Sequence, residues 1–261
     1  MQIKDFEIID FHAHPFEHAK NNICRYPEIC NMSKESTIEA YKNFGISRIC
    51  GSVISQIKDD DVWGEILNLN DQALKLAQEY GNFYYPGFHV HPNYVEESIA
   101  QIDRFSALGY KLMGELVPYM MGGYAYADER LTPVFDHAEK KGIVVNIHPI
   151  DDDDIDAFVK RHKNLIVVGA HPNNDQRFFR HLERLKKYDN YYIDMAAAGT
   201  LSYGMLKKVI DTVGAERILF GTDYPICHPG AHVGAVLFDS LIKDSEKELI
   251  FSKNAKRLLN L

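Results

Sequence analysis

Eight short apolar runs alternate with longer amphipathic segments along this chain. The runs are Phe6–Phe11, Ile46–Ile54, Phe83–Val90, Tyr110–Val117, Ile143–Ile147, Leu165–Ala170, Tyr191–Met195 and Arg217–Gly221. Their starts lie about 30 residues apart, the length of one strand–helix unit. Between them, apolar residues recur at helical spacing. Trp63–Tyr80 carries Ile66, Leu67, Leu69, Ala73, Leu74 and Ala77 near a 3.6 period, and Gly81 stops it. The same rule predicts helices over Tyr94–Leu108, Pro133–Lys141, Asn174–Tyr188, Tyr203–Val213 and His232–Asp244, with a last one over Ser252–Leu261. The acidic run Asp151–Asp154 precedes a further helix, Ile155–Lys163, and reads as its N-terminal cap, with a calcium loop as the other reading. Helix–glycine–strand punctuation predicts parallel strands joined by crossover helices. Eight such units in about 250 residues match a (β/α)8 TIM barrel, so one domain is expected over residues 1–261. A doubly wound open sheet is the alternative, but its glycine-rich turn is missing after the first run.

Composition narrows the class. Hydrophobic residues make up 46% of the 261, which excludes a disordered chain. The net charge of −8 argues against nucleic acid as a partner. No apolar run approaches a membrane span and the N-terminus is charged, so no membrane partner and a cytoplasmic location are expected. Cys24, Cys30, Cys50 and Cys227 include no Cys-x-x-Cys pair and read as small hydrophobes in a reducing compartment.

The histidines change the picture. Five of 10 prolines directly follow one of 12 histidines, at His14, His91, His148, His171 and His228. Chance placement gives about half of one such pair. Proline cannot continue a buried strand, so each pair reads as a strand that stops with a histidine on its C-terminal rim. In a parallel barrel that rim is where active sites lie. In Asp10-Phe11-His12-Ala13-His14, strand alternation puts the two imidazoles on one face with Asp10 behind them, able to orient one of them. Two adjacent imidazoles suit a borderline metal such as zinc. The second pair, His89 and His91, reads as pocket lining or core. Asp223, in Gly-Thr-Asp-Tyr-Pro after the eighth run, reads as a ligand, a general base or a helix cap. Lys111, Met113 and Glu115 share a strand face, which leaves Glu115 open to pairing with Lys111. His137, His162 and His181, on outer helices, read as solvated.

In this order, Asp-x-His-x-His, the histidines after runs five and six, and Gly-Thr-Asp-Tyr-Pro resemble the amidohydrolase superfamily. The likeness is to its amidohydrolase-related branch, which contains metal-dependent hydrolases and decarboxylases of aminocarboxymuconate semialdehyde and hydroxybenzoates. It runs from Ile8 to Asn254-Ala255-Lys256-Arg257-Leu258-Leu259, which resembles the branch's closing helix. The resemblance implies His12, His14, His148 and Asp223 as ligands of a divalent metal, zinc by expectation. It gives His171 a catalytic role with one ion or a ligand role with two. Gly114-Glu115-Leu116 departs from the branch and resembles the bridging-glutamate strand of deoxyribonuclease-like members, so Glu115 is a candidate bridge between two ions.

The chemistry so implied is attack on an amide, ester or lactone of a small molecule by a metal-activated water, with Asp223 moving the proton. Two alternatives use the same parts, a non-oxidative decarboxylase and a non-catalytic metal-binding barrel. A decarboxylase calls for a carboxylate-binding arginine, for which Arg177 and Arg25 are candidates. Tyr119, Tyr124, His91 and His228 are candidate substrate contacts on rim loops, and Met120–Gly123 is a candidate lid. A homo-oligomer is left open.

Overall fold

The structure, a computed structural model, describes residues 2–18, 23, 32–58, 60–172, 175–197 and 202–261. Arg25, Cys24 and Cys30 lie outside the described residues. Eight parallel strands run in sequence order in one sheet: β1 (Ile8–Asp10), β2 (Ile46–Gly51), β3 (Tyr84–Phe88), β4 (Leu112–Leu116), β5 (Val144–Ile147), β6 (Ile166–Gly169), β7 (Tyr191–Asp194) and β8 (Ile218–Leu219). The ends of β1 and β8 meet through Phe11 N–H to the Phe220 carbonyl (2.8 Å), His14 N–H to the Tyr224 carbonyl (2.8 Å) and an Ala13–Tyr224 bridge. This is the expected (β/α)8 barrel.

Helices cover the outside: α1 (Lys34–Asn43), α2 (Val62–Tyr80), α3 (Val95–Ala107), α4 (Thr132–Lys141), α5 (Asp152–Arg161), α6 (Asp175–Lys187), α7 (Met205–Val213), α8 (Pro229–Leu237), α9 (Asp244–Glu248) and α10 (Asn254–Leu259). The Asp151 side chain accepts the Asp154 N–H, so the acidic run is a helix cap. The expected helix over His232–Asp244 is instead α8, ending at Leu237, followed by a turn and α9. Helix α1 had no strong apolar pattern to betray it: only Thr37 and Tyr41 are buried along it.

Two apolar layers hold the barrel. Ile9, Cys50, Tyr85, Leu112, Val144, Val168, Tyr192 and Leu219 supply one residue from each strand to an inner cluster, joined by Ala255 and Leu259 of α10. The larger layer fills the space between strands and helices. Asn254 explains much of the closing motif: its buried side-chain amide donates to the carbonyls of Ala215 and Ile218 (both 2.8 Å), tying α10 to β8. Two helix histidines expected to be solvated are buried. His162 lies at 3% exposure and His181 at 1%. Each packs against aromatic neighbours, Phe158 and Phe135 for His162 and Tyr191 for His181. No helix among the described residues is long and apolar enough to cross a membrane.

Candidate metal centre

Five side chains from the C-terminal ends of β1, β4, β6 and β8 converge, with His148 of β5 at the edge. His12 Nε2 and His14 Nε2 lie 3.1 Å apart. His12 Nδ1 meets Asp194 Oδ2 at 2.8 Å, and His14 Nδ1 meets the Ser52 carbonyl at 3.0 Å. A carbonyl and a carboxylate only accept, so in the neutral rings each Nδ1 carries the proton. Both Nε2 lone pairs then face each other, and both face carboxylate oxygens: Glu115 Oε2 at 3.5 Å and Asp223 Oδ1 at 3.7 Å from each. Four electron-rich atoms so arranged repel unless they share a cation. Bonds of about 2.1 Å to one ion separate neighbouring donors by roughly 3.0 to 3.4 Å, close to this spacing.

The other oxygen of Glu115 faces a second pair. Glu115 Oε1 lies 3.0 Å from His148 Nδ1 and 2.9 Å from His171 Nε2. His171 Nδ1 is buried, without a hydrogen-bond partner, 3.8 Å from Asp223 Oδ2. Three overlapping groups can therefore hold an ion: His12, His14 and Glu115; His12, His171 and Asp223; Glu115, His148 and His171. Among the described residues no such group joins His148 to His12 or His14, so the implied set His12, His14, His148 and Asp223 is divided across Glu115.

Electrostatics fit the same picture. Burial opposes ionisation of Glu115, but His171, His12 and His148 outweigh it and hold its carboxyl well below the usual carboxylate range. Burial likewise works against charge on His12 and on His171. Asp194 and then Glu115 nevertheless raise His12 well above the ordinary imidazole value, and Glu115 raises His171. The cluster favours a positive charge, which a divalent metal held by these groups would supply.

The backbone is bent to aim these groups. His171, Ala197 and Asp223, at the ends of β6, β7 and β8, all have left-handed φ, at 53°, 58° and 64°. Such conformations cost roughly 1–3 kcal/mol each and cluster where geometry serves function. Glu115 does not share a face with Met113, as strand alternation predicts. The ladder shifts register between Met113 and Leu116, and Met113 packs in the outer layer. Gly114, at φ 95°, makes this possible, since a Cβ there would run into the Asn146 carbonyl. Glu115 accordingly pairs with His12, His14, His148 and His171, and Lys111 is not among its partners in the described residues.

Asp10 also departs from expectation. Its Oδ1 accepts the His12 N–H (3.1 Å) and the Thr222 N–H (3.0 Å), and its Oδ2 accepts the hydroxyls of Thr222 (2.5 Å) and Tyr41 (3.1 Å). The chain turns directly after β1, alternation breaks, and Asp10 faces α1 while His12 faces the barrel. Burial pushes the Asp10 carboxyl up to about 7, against its donors Thr222, His12 N–H and Tyr41. The carboxylate that touches His12 is Asp194, which sequence reasoning missed. Its signal was available: an acid closes the apolar run Tyr-Tyr-Ile-Asp at the same end of its strand as Asp10.

Above the cluster lies a pocket of about 210 Å³, lined by His14, Glu115, His148, His171 and Asp223 below and by Ile23, Ile54, Val117, Tyr119, Met120, Ala197 and Ile226 around its wall. Tyr119 stands edge-on to His148, ring centres 5.4 Å apart. The remaining candidates are elsewhere. Tyr124, half-buried on the loop after β4, packs edge-on to His91 (5.5 Å between ring centres). His89 is a core residue, held by the Val53 carbonyl (2.8 Å), and burial pushes it down to about 4. Arg177 is half-buried on α6, where its charge acts on His181. His228 is exposed and packs its ring on Phe44 (4.9 Å). None of His91, Tyr124, Arg177 and His228 is among the described residues that line this pocket.

Comparison with known proteins agrees with this architecture. A 2,6-dihydroxybenzoate decarboxylase from Rhizobium superposes with a TM-score of 0.77 at 14% identity, over 98% of this chain and 99% of that one. A 5-carboxyvanillate decarboxylase from Novosphingobium aromaticivorans with bound manganese gives 0.73 at 14%, over 98% and 97%. An uncharacterized TIM-barrel protein from Bordetella bronchiseptica gives 0.72 at 20%, over 98% and 99%. No curated protein matches by sequence. The amidohydrolase family model matches residues 9–261, which is nearly the whole chain, and the chain belongs to that family of enzymes.

Proposed function

We propose that this enzyme is a two-metal hydrolase of a small-molecule ester, amide or lactone. The observation that carries the reading is Glu115, whose two oxygens face two separate sets of ligands. His12, His14 and Asp223 with Oε2 would hold one ion, and His148 and His171 with Oε1 the other. Zinc suits a set of imidazoles and carboxylates, with manganese the competing choice. Bound there, such ions lower the proton affinity of water and polarise a carbonyl.

The chain's own residues do the rest. Asp223 accepts the proton of the attacking water and returns it to the leaving group, since it lines the pocket beside His171, its Oδ2 3.8 Å from His171 Nδ1. With an ion on Nε2 beside Glu115, the His171 proton would lie on Nδ1, 3.8 Å from Asp223 Oδ2, where it would steady the oxygen that gathers charge. Ile54, Val117, Met120 and Ile226 exclude water and favour an apolar group on the substrate.

Decarboxylation is the second reading, and the named activities of the compared structures favour it over hydrolysis. In that case the same ligands hold a hydroxybenzoate-like acid, and His171 or Asp223 protonates the carbon that loses carbon dioxide. No lysine or arginine is among the described residues lining the pocket to hold a free carboxylate. The test is turnover of a panel of esters, lactones, amides and hydroxybenzoates by metal-loaded enzyme, following hydrolysis product and carbon dioxide separately. Hydrolysis without carbon dioxide supports the first reading. Carbon dioxide from a hydroxybenzoate, with no hydrolysis of any panel member, replaces it with the second.

A further inference from the structure

The structure assigns Asp194 as a positioning residue that sets the ligand state of His12. This inference rests on His12 being a metal ligand. Asp194 is fully buried, and its two oxygens are occupied by three donors. Oδ2 accepts from His12 Nδ1 (2.8 Å) and from Asn146 Nδ2 (2.9 Å), while Oδ1 accepts the Ala196 N–H (2.9 Å). Asn146 is held in turn by the Val168 carbonyl (3.3 Å). Side chains of β5 and β7 thus clamp a histidine of β1. Gly221 lets them close, because a Cβ there would lie 2.9 Å from the Cβ of His12 and 3.3 Å from that of Asp194.

The clamp has a chemical consequence. A carboxylate with no proton to give forces the His12 proton onto Nδ1 and leaves Nε2 as a lone pair directed at His14, Glu115 and Asp223. The negative charge also raises the basicity of the ring, which strengthens it as a ligand. His14 is held differently, by the neutral Ser52 carbonyl. The two adjacent ligands are therefore unequal, and His12 is the stronger donor. An asparagine at 194 cannot reproduce this. Its amide has one acceptor oxygen for three donors, so with that oxygen toward His12 Nδ1 and Asn146 Nδ2 its NH2 opposes the Ala196 N–H. In either orientation a donor is left unmet and the negative charge behind the His12 ring is lost.

The experiment measures zinc and manganese affinity by chelator competition on purified wild type and Asp194→Asn, alongside thermal melting of both apoproteins. The expected result is a loss of about 10- to 100-fold in affinity for the tighter ion. Equal affinities overturn the inference, including where the apoprotein melts lower, since a merely structural acid would change melting alone. Should Asp194→Asn not fold, ¹⁵N spectra of the imidazoles in metal-free wild type decide, with His12 assigned by His12→Gln. A proton on Nδ1 of His12 supports the inference, and a proton on Nε2 overturns it. A wild type that binds neither ion overturns the ligand reading itself, and this inference with it.

Discussion

Replacing Glu115 by glutamine tests the two-ion arrangement at its hinge. The carboxylate gives one acceptor oxygen to His148 and His171, at 3.0 and 2.9 Å, and another to His12 and His14, at 3.5 Å. Glutamine keeps the shape and offers a single acceptor, so one ligand set loses its oxygen whichever way the amide turns. The second set suffers more, because without Glu115 only two imidazoles remain in it. A divalent ion and a unit charge about 2.1 Å apart attract by roughly 16 kcal/mol at an effective dielectric of 20, before desolvation is subtracted. Survival of only a tenth of that, about 1.6 kcal/mol, still exceeds tenfold in affinity. Metal analysis after gel filtration should show two ions per chain in the wild type and one in Glu115→Gln. The remaining ion should be bound at least tenfold more weakly or left as the sole occupant of the His12–His14 set. Two ions per chain at unchanged affinity in the variant would refute the bridging role.

Other consequences are checkable. Asp223→Asn preserves shape, and asparagine tolerates the left-handed φ of 64°. Turnover should fall by about 10² to 10⁴ while the melting temperature holds, and an unchanged kcat would remove Asp223 from proton transfer. His181 is pushed by burial, with help from Arg184, down to about 3, so the unfolded chain takes up a proton that the folded one refuses. Stability from this residue is complete above the free imidazole value of about 6.5 and is lost as pH falls below it, by about 2 kcal/mol at pH 5. Urea unfolding of His181→Gln should show a correspondingly flatter acid slope than the wild type, and parallel slopes would contradict the assignment. Asn254→Ala strands two buried carbonyls, and urea unfolding should show a loss of about 2–4 kcal/mol.

How much of this was legible in the sequence depended on which physical rule each residue obeys. Proline cannot extend a buried strand, so the His-Pro pairs marked strand ends, and His14, His148 and His171 do stand at the barrel mouth. Glycines after amphipathic runs marked helix ends for the same local reason. What failed was the extension of strand alternation past the strand. The turn at Asp10 and the register shift at Gly114 both change which side chain faces inward. Alternation placed Asp10 behind His12, and the structure places Asp194 there from 182 residues away. Such a contact is set by barrel closure and leaves no local pattern. Helix α1 escaped notice because Tyr41 and Thr37 make a thin buried stripe, and their hydroxyls reach tertiary partners, Asp10 for Tyr41 and Tyr224 for Thr37, that no local pattern reveals. Burial of His162 and His181 was hidden likewise, since it is set by partners on other elements, Phe135 of α4 for His162 and Tyr191 of β7 for His181.

The central claim is that Glu115 stands between two metal ions. Anomalous diffraction from zinc-loaded crystals, recorded on both sides of the zinc absorption edge, tests it most directly. Two peaks are expected roughly 3.5–4 Å apart, one beside His12, His14 and Asp223 and one beside His148 and His171, with Glu115 between them. A single peak with the Glu115 carboxylate outside bonding distance would contradict it.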